Sequence, residues 1–166
     1  TLSIVENGPQ RFEGRKLGIL VTDGFDAAIL KALKAALTEA GAAFEIIAPT
    51  IGGAKAGDGT LLEADQMIGG GPSVLYDAVA LLPSSAEIED LVKESTARDF
   101  VADAFAHCKF IGYTSAATAL FEKAGIAEAD YDEGIVALTS AKTVAAFVES
   151  LGRLRVWDRE PKVKMK

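Results

Sequence analysis

The feature that most constrains the fold is an alternation of short, almost uninterrupted apolar runs with longer stretches of helical pattern. Apolar runs of this length are typical of strands buried on both faces of a parallel sheet. The first intervening stretch carries an apolar stripe at helical spacing between Ile29 and Leu37, and Gly41 ends it. The predicted strands are KLGILVTD (residues 16–23), AFEIIAP (43–49), DAVALLP (77–83), FIGYT (110–114) and GIVAL (134–138).

Helical segments are predicted between these strands and after the last of them. Three of them have both ends predicted: Asp26 to Ala40, Thr96 to Cys108 and Ser115 to Gly125. Two more have only a predicted start, one at Ser84, where the residue spacing is that of a capping box, and one at Ser140. Strands that alternate with helices predict an α/β fold, a doubly wound, mostly parallel sheet with helices on both faces. An Asp58-Gly59 pair between short β-prone runs adds a small β-hairpin excursion.

Three segments are predicted along the chain. Residues 1–14 form a polar linker or arm with Gly and Pro, and residues 15–152 form the domain. Residues 153–166 form a basic C-terminal tail, with Arg or Lys at six positions. Two interpretations of the tail stay open: a solvated, partly disordered end, or a docking arm anchored by Trp157, the only tryptophan.

Charge and cysteine content exclude several classes of function. The formal net charge of −7 argues against nucleic-acid and anionic-membrane partners, because phosphates would be repelled. No apolar run approaches the roughly 20 residues that a membrane-spanning helix needs. Cys108 is the only cysteine, so no internal disulfide or cysteine zinc cluster is expected. The cellular compartment is left open.

Ser115 is the one candidate nucleophile, because it lies on a predicted sharp turn between a strand and a helix. Its base would have to be His107, the only histidine. His107 precedes the strand and Ser115 follows it, and five strand residues separate such positions by roughly 16 Å. The two side chains cannot pair within one chain. The sequence therefore favours a structural role for Ser115, as the N-cap of the next helix.

The other polar clusters predict no cofactor, metal or catalytic site. Asp23 and Asp26 follow the first strand, where their charge would repel a phosphate and complement a helix dipole instead. The Gly-rich run Ile68–Ser73 precedes a strand, the reverse of the order in a dinucleotide-binding fingerprint, and a turn is predicted there. The acids Asp130, Asp132 and Glu133 are predicted to form a solvated loop.

The segment Lys109–Gly125 resembles the nucleophile elbow of the ThiJ/PfpI class-I glutamine-amidotransferase-like superfamily. In that superfamily a reactive Cys stands where this chain has Ser115, often followed by His where this chain has Ala116. A Glu of the first helix stands where this chain has Ile29. The resemblance implies that the thiolate, its neighbour and the acid that tunes it are all replaced.

A second resemblance covers nearly the whole chain, from about Gly14 to Pro161. The ordered set GRKLGILVTDGFD, GDGTLLEADQ, GGGPSVLYDAVALLP and RVWDREPK resembles the C-terminal domain of large-subunit (clade 2) haem catalases. The resemblance implies a flavodoxin-like domain that follows the haem core through a linker. The haem residues of that family lie in the core and have no counterparts here, so the resemblance implies no catalytic, cofactor-binding or metal-binding residue in this chain.

Two hypotheses of function follow. The first is a non-catalytic accessory domain of a catalase, whose parent decomposes hydrogen peroxide with haem. It would contribute stability, assembly and chaperone-like holding, and its partners would be the haem-catalase core, the parent tetramer and unfolded client proteins. The second is a diverged ThiJ/PfpI-type hydrolase or deglycase that uses Ser115.

Overall fold

A central parallel sheet organises the computed structural model, which describes residues 12–50, 52–70 and 73–164. Its strands are β1 (Lys16–Val21), β2 (Ala43–Ala48), β5 (Gln66–Met67), β6 (Ala78–Leu82), β7 (Ile111–Tyr113) and β8 (Ile135–Ala137). The strand order is β5-β2-β1-β6-β7-β8, and all neighbours pair in parallel. Without the short edge strand β5, this is the flavodoxin-like order. All five predicted strands and the α/β class are confirmed.

The small hairpin is also confirmed. β3 (Ala54–Lys55) pairs antiparallel with β4 (Leu61–Leu62), and the predicted Asp58-Gly59 turn connects them. Gly59 has a φ of +89°, which a residue with a side chain adopts at a cost. The Asp58 carboxylate accepts a hydrogen bond from the Thr60 backbone N–H at 2.9 Å, which lowers the pKa of Asp58.

Helices cover both faces of the sheet, as predicted. They are α1 (Ala27–Glu39), α2 (Ile88–Leu91), α3 (Ser95–Ala106), α4 (Thr118–Lys123), α5 (Ala141–Ser150) and α6 (Glu160–Lys164). One buried cluster joins α1 and α5 to strand residues such as Ile19, and a second joins α3 and α4 to residues such as Leu20. Because successive side chains of a strand point to opposite faces of the sheet, neighbouring residues of β1 belong to different clusters.

Side chains cap the amino ends of α1 and α5. Asp26 caps α1 by accepting hydrogen bonds from the backbone N–H groups of Ala28 and Ile29 at 2.9 and 3.2 Å. Ser140 caps α5 through a reciprocal pair with Thr143. The helix predicted from Ser84 begins later and is a single turn: the backbone N–H of Glu87 does bond Ser84 Oγ, but turn residues intervene before α2.

The C-terminal segment packs onto the domain, so its interpretation as a solvated, partly disordered end is wrong for the part of the chain that the structure describes. Arg155 forms an antiparallel bridge with Lys109, and Val156 belongs to the core. Arg159 is only 1% exposed. Trp157, in contrast, is 48% exposed. The division into segments 1–14, 15–152 and 153–166 stays a prediction, and residues 1–11 of the arm lie outside the described residues.

Among the residues that the structure describes, no helix has both the length and the apolar character required to span a bilayer.

Candidate functional site

The segment after β7 forms the sharp strand-to-helix turn that the sequence predicts. β7 ends at Tyr113, a 3₁₀ turn covers Ser115–Ala117, and α4 follows. A side chain at Gly112 would crowd this strand, since a Cβ there would lie 2.9 Å from Leu138 Cδ1. Ser115 itself is exposed at the carboxyl edge of the sheet. The elbow geometry of the fold is therefore present.

Ser115 does not cap α4, so that prediction is wrong. The N-cap position of α4 is Ala117, and no side chain of a described residue caps the helix there. Only the backbone carbonyl of Ser115 takes part, by accepting a hydrogen bond from Thr118 Oγ1 at 3.0 Å. The physical reason is the 3₁₀ turn, which shifts the helix start three residues along the chain.

His107 and Ser115 lie at opposite ends of β7. His107 is the exposed C-cap of α3, at the amino edge of the sheet, whereas Ser115 follows the carboxyl end of the strand. At the position that the resemblance matches to an acid, Ile29 is 4% exposed and packs in the core cluster of α1 and α5. A carboxylate in that place would be buried among apolar groups at high cost. Neither His107 nor an acid at the position of Ile29 is therefore available to Ser115.

The crevice at the switch point between β1 and β6 is occupied by internal hydrogen bonds. Thr22 Oγ1 accepts from the Ser84 backbone N–H at 2.8 Å, and Ser84 Oγ donates to the Asp23 carbonyl at 2.5 Å. The Asp23 carboxylate accepts from the Lys55 backbone N–H at 2.8 Å. This crevice is where doubly wound folds bind ligands. Here its polar groups connect the loop after β1, the loop after β6 and the hairpin to one another.

Cys108 and Lys109 are buried just before β7. Burial raises the pKa of the Cys108 thiol, which makes the nucleophilic thiolate scarcer. The Lys109 ammonium donates to the Ser73 carbonyl at 2.6 Å, and burial, with the nearby charge of Arg155, lowers its pKa to about 8. Both side chains are enclosed, so neither is placed for chemistry on an external substrate.

A buried ion pair joins the C-terminal segment to the acidic loop, and sequence reasoning missed it. The Arg159 guanidinium bonds both carboxylate oxygens of Asp132 at 2.6 and 2.8 Å and donates to the Lys109 carbonyl at 2.7 Å. The prediction that Asp132 belongs to a merely solvated loop is therefore wrong. Glu133 does remain at the surface, where it pairs with Arg153.

Three side chains of types that can bind haem iron have other surroundings in this fold. Haem iron takes an axial imidazole, thiolate, thioether or phenolate. His107 is exposed at a helix end, the Cys108 thiol is buried, and the Tyr76 hydroxyl donates to Glu45 at 3.0 Å. Across residues 12–50, 52–70 and 73–164, no group of three or more His, Cys, Asp or Glu side chains is placed to hold a metal ion.

The fold and its strand order define a flavodoxin-like α/β domain, and two solved structures with this fold come from DJ-1/ThiJ/PfpI-like proteins. A two-domain protein from Anabaena variabilis with DJ-1/ThiJ/PfpI-like and ferritin-like domains superposes with a TM-score of 0.71 at 15% identity, over 84% of this chain and 48% of that one. A DJ-1 superfamily protein from Salmonella typhimurium gives 0.68 at 19% identity, over 91% of this chain and 95% of that one. At these identities the likeness concerns the fold.

Sequence similarity then identifies the family. The profile of the C-terminal domain found in long catalases matches residues 13–161, and the chain belongs to that family. Catalase C of Rhizobium meliloti is 62% identical over 165 residues, 99% of this chain and 23% of that protein. Catalase HPII of Pseudomonas putida is 32% identical over 154 residues, 92% of this chain and 21% of that protein. The chain thus spans less than a quarter of these relatives.

Proposed function

We propose that this chain is the non-catalytic accessory domain of a haem catalase and that it stabilises the core to which it is attached. One observation carries the proposal: a member of the catalase C-terminal family keeps the elbow fold but has Ser115, Ala116 and Ile29 at the positions that carry reactive chemistry in ThiJ/PfpI proteins. Peroxide decomposition and haem belong, in this proposal, to the parent catalase.

The amino edge of the sheet is the face that we propose for docking on the core. Val74 and Leu75 lie in a 3₁₀ turn that leads into the amino end of β6, and they are 66% and 51% exposed. Trp157 follows Arg155, which pairs beside the amino end of β7. The described chain also enters β1 from this edge. Contiguous apolar patches on a protein surface usually mark interaction sites, and we propose that these three side chains contribute to one, with Trp157 as its anchor.

Docking is tested in the full-length catalase with the double variant Val74→Asp/Leu75→Asp and, separately, with Trp157→Ala. We expect both to shorten the half-life of peroxide-decomposing activity at elevated temperature by several-fold, because a charge or a cavity weakens the contact. Leu61→Asp is the matched control, since Leu61 is 58% exposed but lies on the hairpin. Equal half-lives for all four proteins would remove the docking face from the proposal.

Chaperone-like holding is the second part of the proposal. The same exposed apolar groups would contact unfolded clients, and the net charge of −7 would keep the resulting complexes apart by repulsion. We expect substoichiometric to equimolar chain to reduce light scattering from a heat-stressed client without ATP. An equally acidic domain of similar size serves as the control. If that domain protects as well, charge alone explains the effect and no holding surface exists.

The alternative, a hydrolase or deglycase that uses Ser115, lacks a supporting observation among the described residues. A serine nucleophile needs a base to accept its proton, and the single histidine lies at the other end of β7. Labelling of Ser115 by a fluorophosphonate probe, lost in Ser115→Ala, would revive this alternative.

A further inference from the structure

A cavity of about 420 Å³ beside Phe12 and a smaller one under the hairpin each have one aromatic ring in their lining, whereas a third cavity has two. This third cavity, of about 620 Å³, opens beside α4 at the carboxyl end of β7. Tyr113, Tyr131, Glu122 and Glu128 line it, and we call these four residues the Tyr–Glu site. Ser115 is not among its lining residues, although Tyr113 and Thr118, on either side of the elbow turn, are.

The two tyrosine rings of the Tyr–Glu site form a corner. Their centroids are 5.8 Å apart and their planes meet at 69°. The buried ring of Phe121 fixes both from behind, with centroids 5.3 Å from Tyr113 and 5.2 Å from Tyr131. Both tyrosines are half-buried, so each is held by the core yet presents part of its ring to the cavity. A rigid aromatic corner of this kind attracts a cation through the negative faces of the rings.

The two glutamates add full negative charge to the same cavity. Glu122 lies on α4 and Glu128 on the following turn, and both are exposed. Neither carboxylate forms an ion pair with another described residue. Burial is the largest cause of the raised pKa of both tyrosines. The charge of Glu128 raises the pKa of both further, and the charge of Glu122 raises that of Tyr131. The field of the carboxylates therefore reaches the aromatic corner.

We propose that the Tyr–Glu site binds an organic cation, a guanidinium or alkylammonium group. A large, weakly hydrated cation can stack on the tyrosine faces while its N–H groups bond the glutamates. A small divalent metal ion would instead need several oxygen ligands, and no group of three or more His, Cys, Asp or Glu side chains among the described residues is placed to hold one. The proposal goes beyond the accessory role, because it places a ligand at the edge of the sheet opposite the docking face.

The test is a titration of this chain with N-acetyl-arginine amide at constant ionic strength, followed by calorimetry and by NMR of the tyrosine rings. We expect saturable binding, with the ring resonances of Tyr113 and Tyr131 shifting most. The neutral isostere, N-acetyl-citrulline amide, should bind at least tenfold more weakly. Equal affinity for the two amides, or shifts centred on other residues, would overturn the proposal.

Charge-neutralising variants separate this site from general acidity. Glu122→Gln and Glu128→Gln should each weaken binding of the arginine amide at least threefold, and both change exposed residues, so folding is preserved. Glu149→Gln is the matched control, because Glu149 is exposed on α5 at the other face of the sheet. It should leave the affinity unchanged. If Glu149→Gln weakens binding as much, the net charge of the chain accounts for the effect and the proposal fails.

A final arm identifies the source of the cation. An arginine-containing peptide that binds at least tenfold more tightly than the amide would assign the site to a basic side chain of a polypeptide. Equal affinities would assign it to a free small cation. Both results require the cation site, whereas absence of binding by the peptide and the amide alike would contradict it.

Discussion

Ser115 stands at the position that resembles a nucleophile elbow, but His107 lies at the other end of β7. The serine side chain is exposed and caps no helix, and the acid position behind it is filled by the buried Ile29. Ser115→Ala should therefore change the free energy of unfolding by less than about 0.5 kcal/mol, as is usual at the surface. Urea denaturation measures this. A loss above roughly 1 kcal/mol, within the range of a lost helix cap, would mean that the hydroxyl does cap the helix after all.

Lys109 should make the stability of the folded chain depend on pH. Its pKa is lowered to about 8 in the folded state from an ordinary value of 10.5, so between these values the unfolded chain binds more protons. Stability contributed by this group must then rise with pH across that window. Relative to Lys109→Met, the natural chain should gain on the order of 2 kcal/mol between pH 8 and pH 10.5.

The control for this measurement is Lys93→Met, since the Lys93 side chain is 76% exposed. The tyrosines, whose pKa values are raised, also affect stability at the alkaline end of the window. Their contribution to the free energy of unfolding is the same in each protein, so it cancels in the difference between them. A flat difference between the natural chain and Lys109→Met across pH 8 to 10.5 would show that the ammonium is not desolvated.

At the scale of elements, the pair of Arg159 and Asp132 fastens the C-terminal segment to the loop before β8. Removing the guanidinium would leave a carboxylate that is only 14% exposed without its main partner. Arg159→Ala should therefore cost roughly 3–5 kcal/mol of unfolding free energy. Arg153→Ala, which removes an exposed pair with Glu133, should cost about 1 kcal/mol or less. Equal losses in urea denaturation would mean that the segment is not fastened by this pair.

The elements that the sequence predicted well are those whose signal is local. The apolar run of β6 is buried at every position because both faces of the sheet are covered there, and the stripe of α1 shows which face of the helix meets the core. The capping prediction at Ser115 failed because a single 3₁₀ turn, which no residue pattern marks, lies between β7 and α4.

The C-terminal segment could not be predicted, because its signal is tertiary. Arg159 looks like one more charge in a basic tail, and its partner Asp132 lies 27 residues earlier in what looks like a solvated loop. The Tyr–Glu site was missed for a different reason: its residues lie on a strand, a helix and a turn that follow one another, and their spacing has no single period that would mark one surface. The separation of His107 from Ser115, in contrast, could be predicted, because the strand between the two residues is visible in the sequence.

At the scale of the whole molecule, the two edges of the sheet have different surfaces. The amino edge presents Val74, Leu75 and Trp157, the apolar groups proposed for docking, and the described chain enters there. The carboxyl edge carries the elbow and the Tyr–Glu site. A domain arranged in this way can lie against a catalase core with one edge while the edge that carries ligand sites in this fold stays accessible.

The central claim is that the domain stabilises a catalase without contributing to its chemistry. The most direct test places a protease site ahead of residue 12 in the full-length catalase, so that the domain is removed after the protein has folded. We expect peroxide turnover per haem at 25 °C to stay within about twofold of the uncut enzyme, since in our proposal the haem core carries the whole reaction. The half-life of activity at elevated temperature should fall several-fold. A large loss of turnover per haem together with an unchanged half-life would contradict the account.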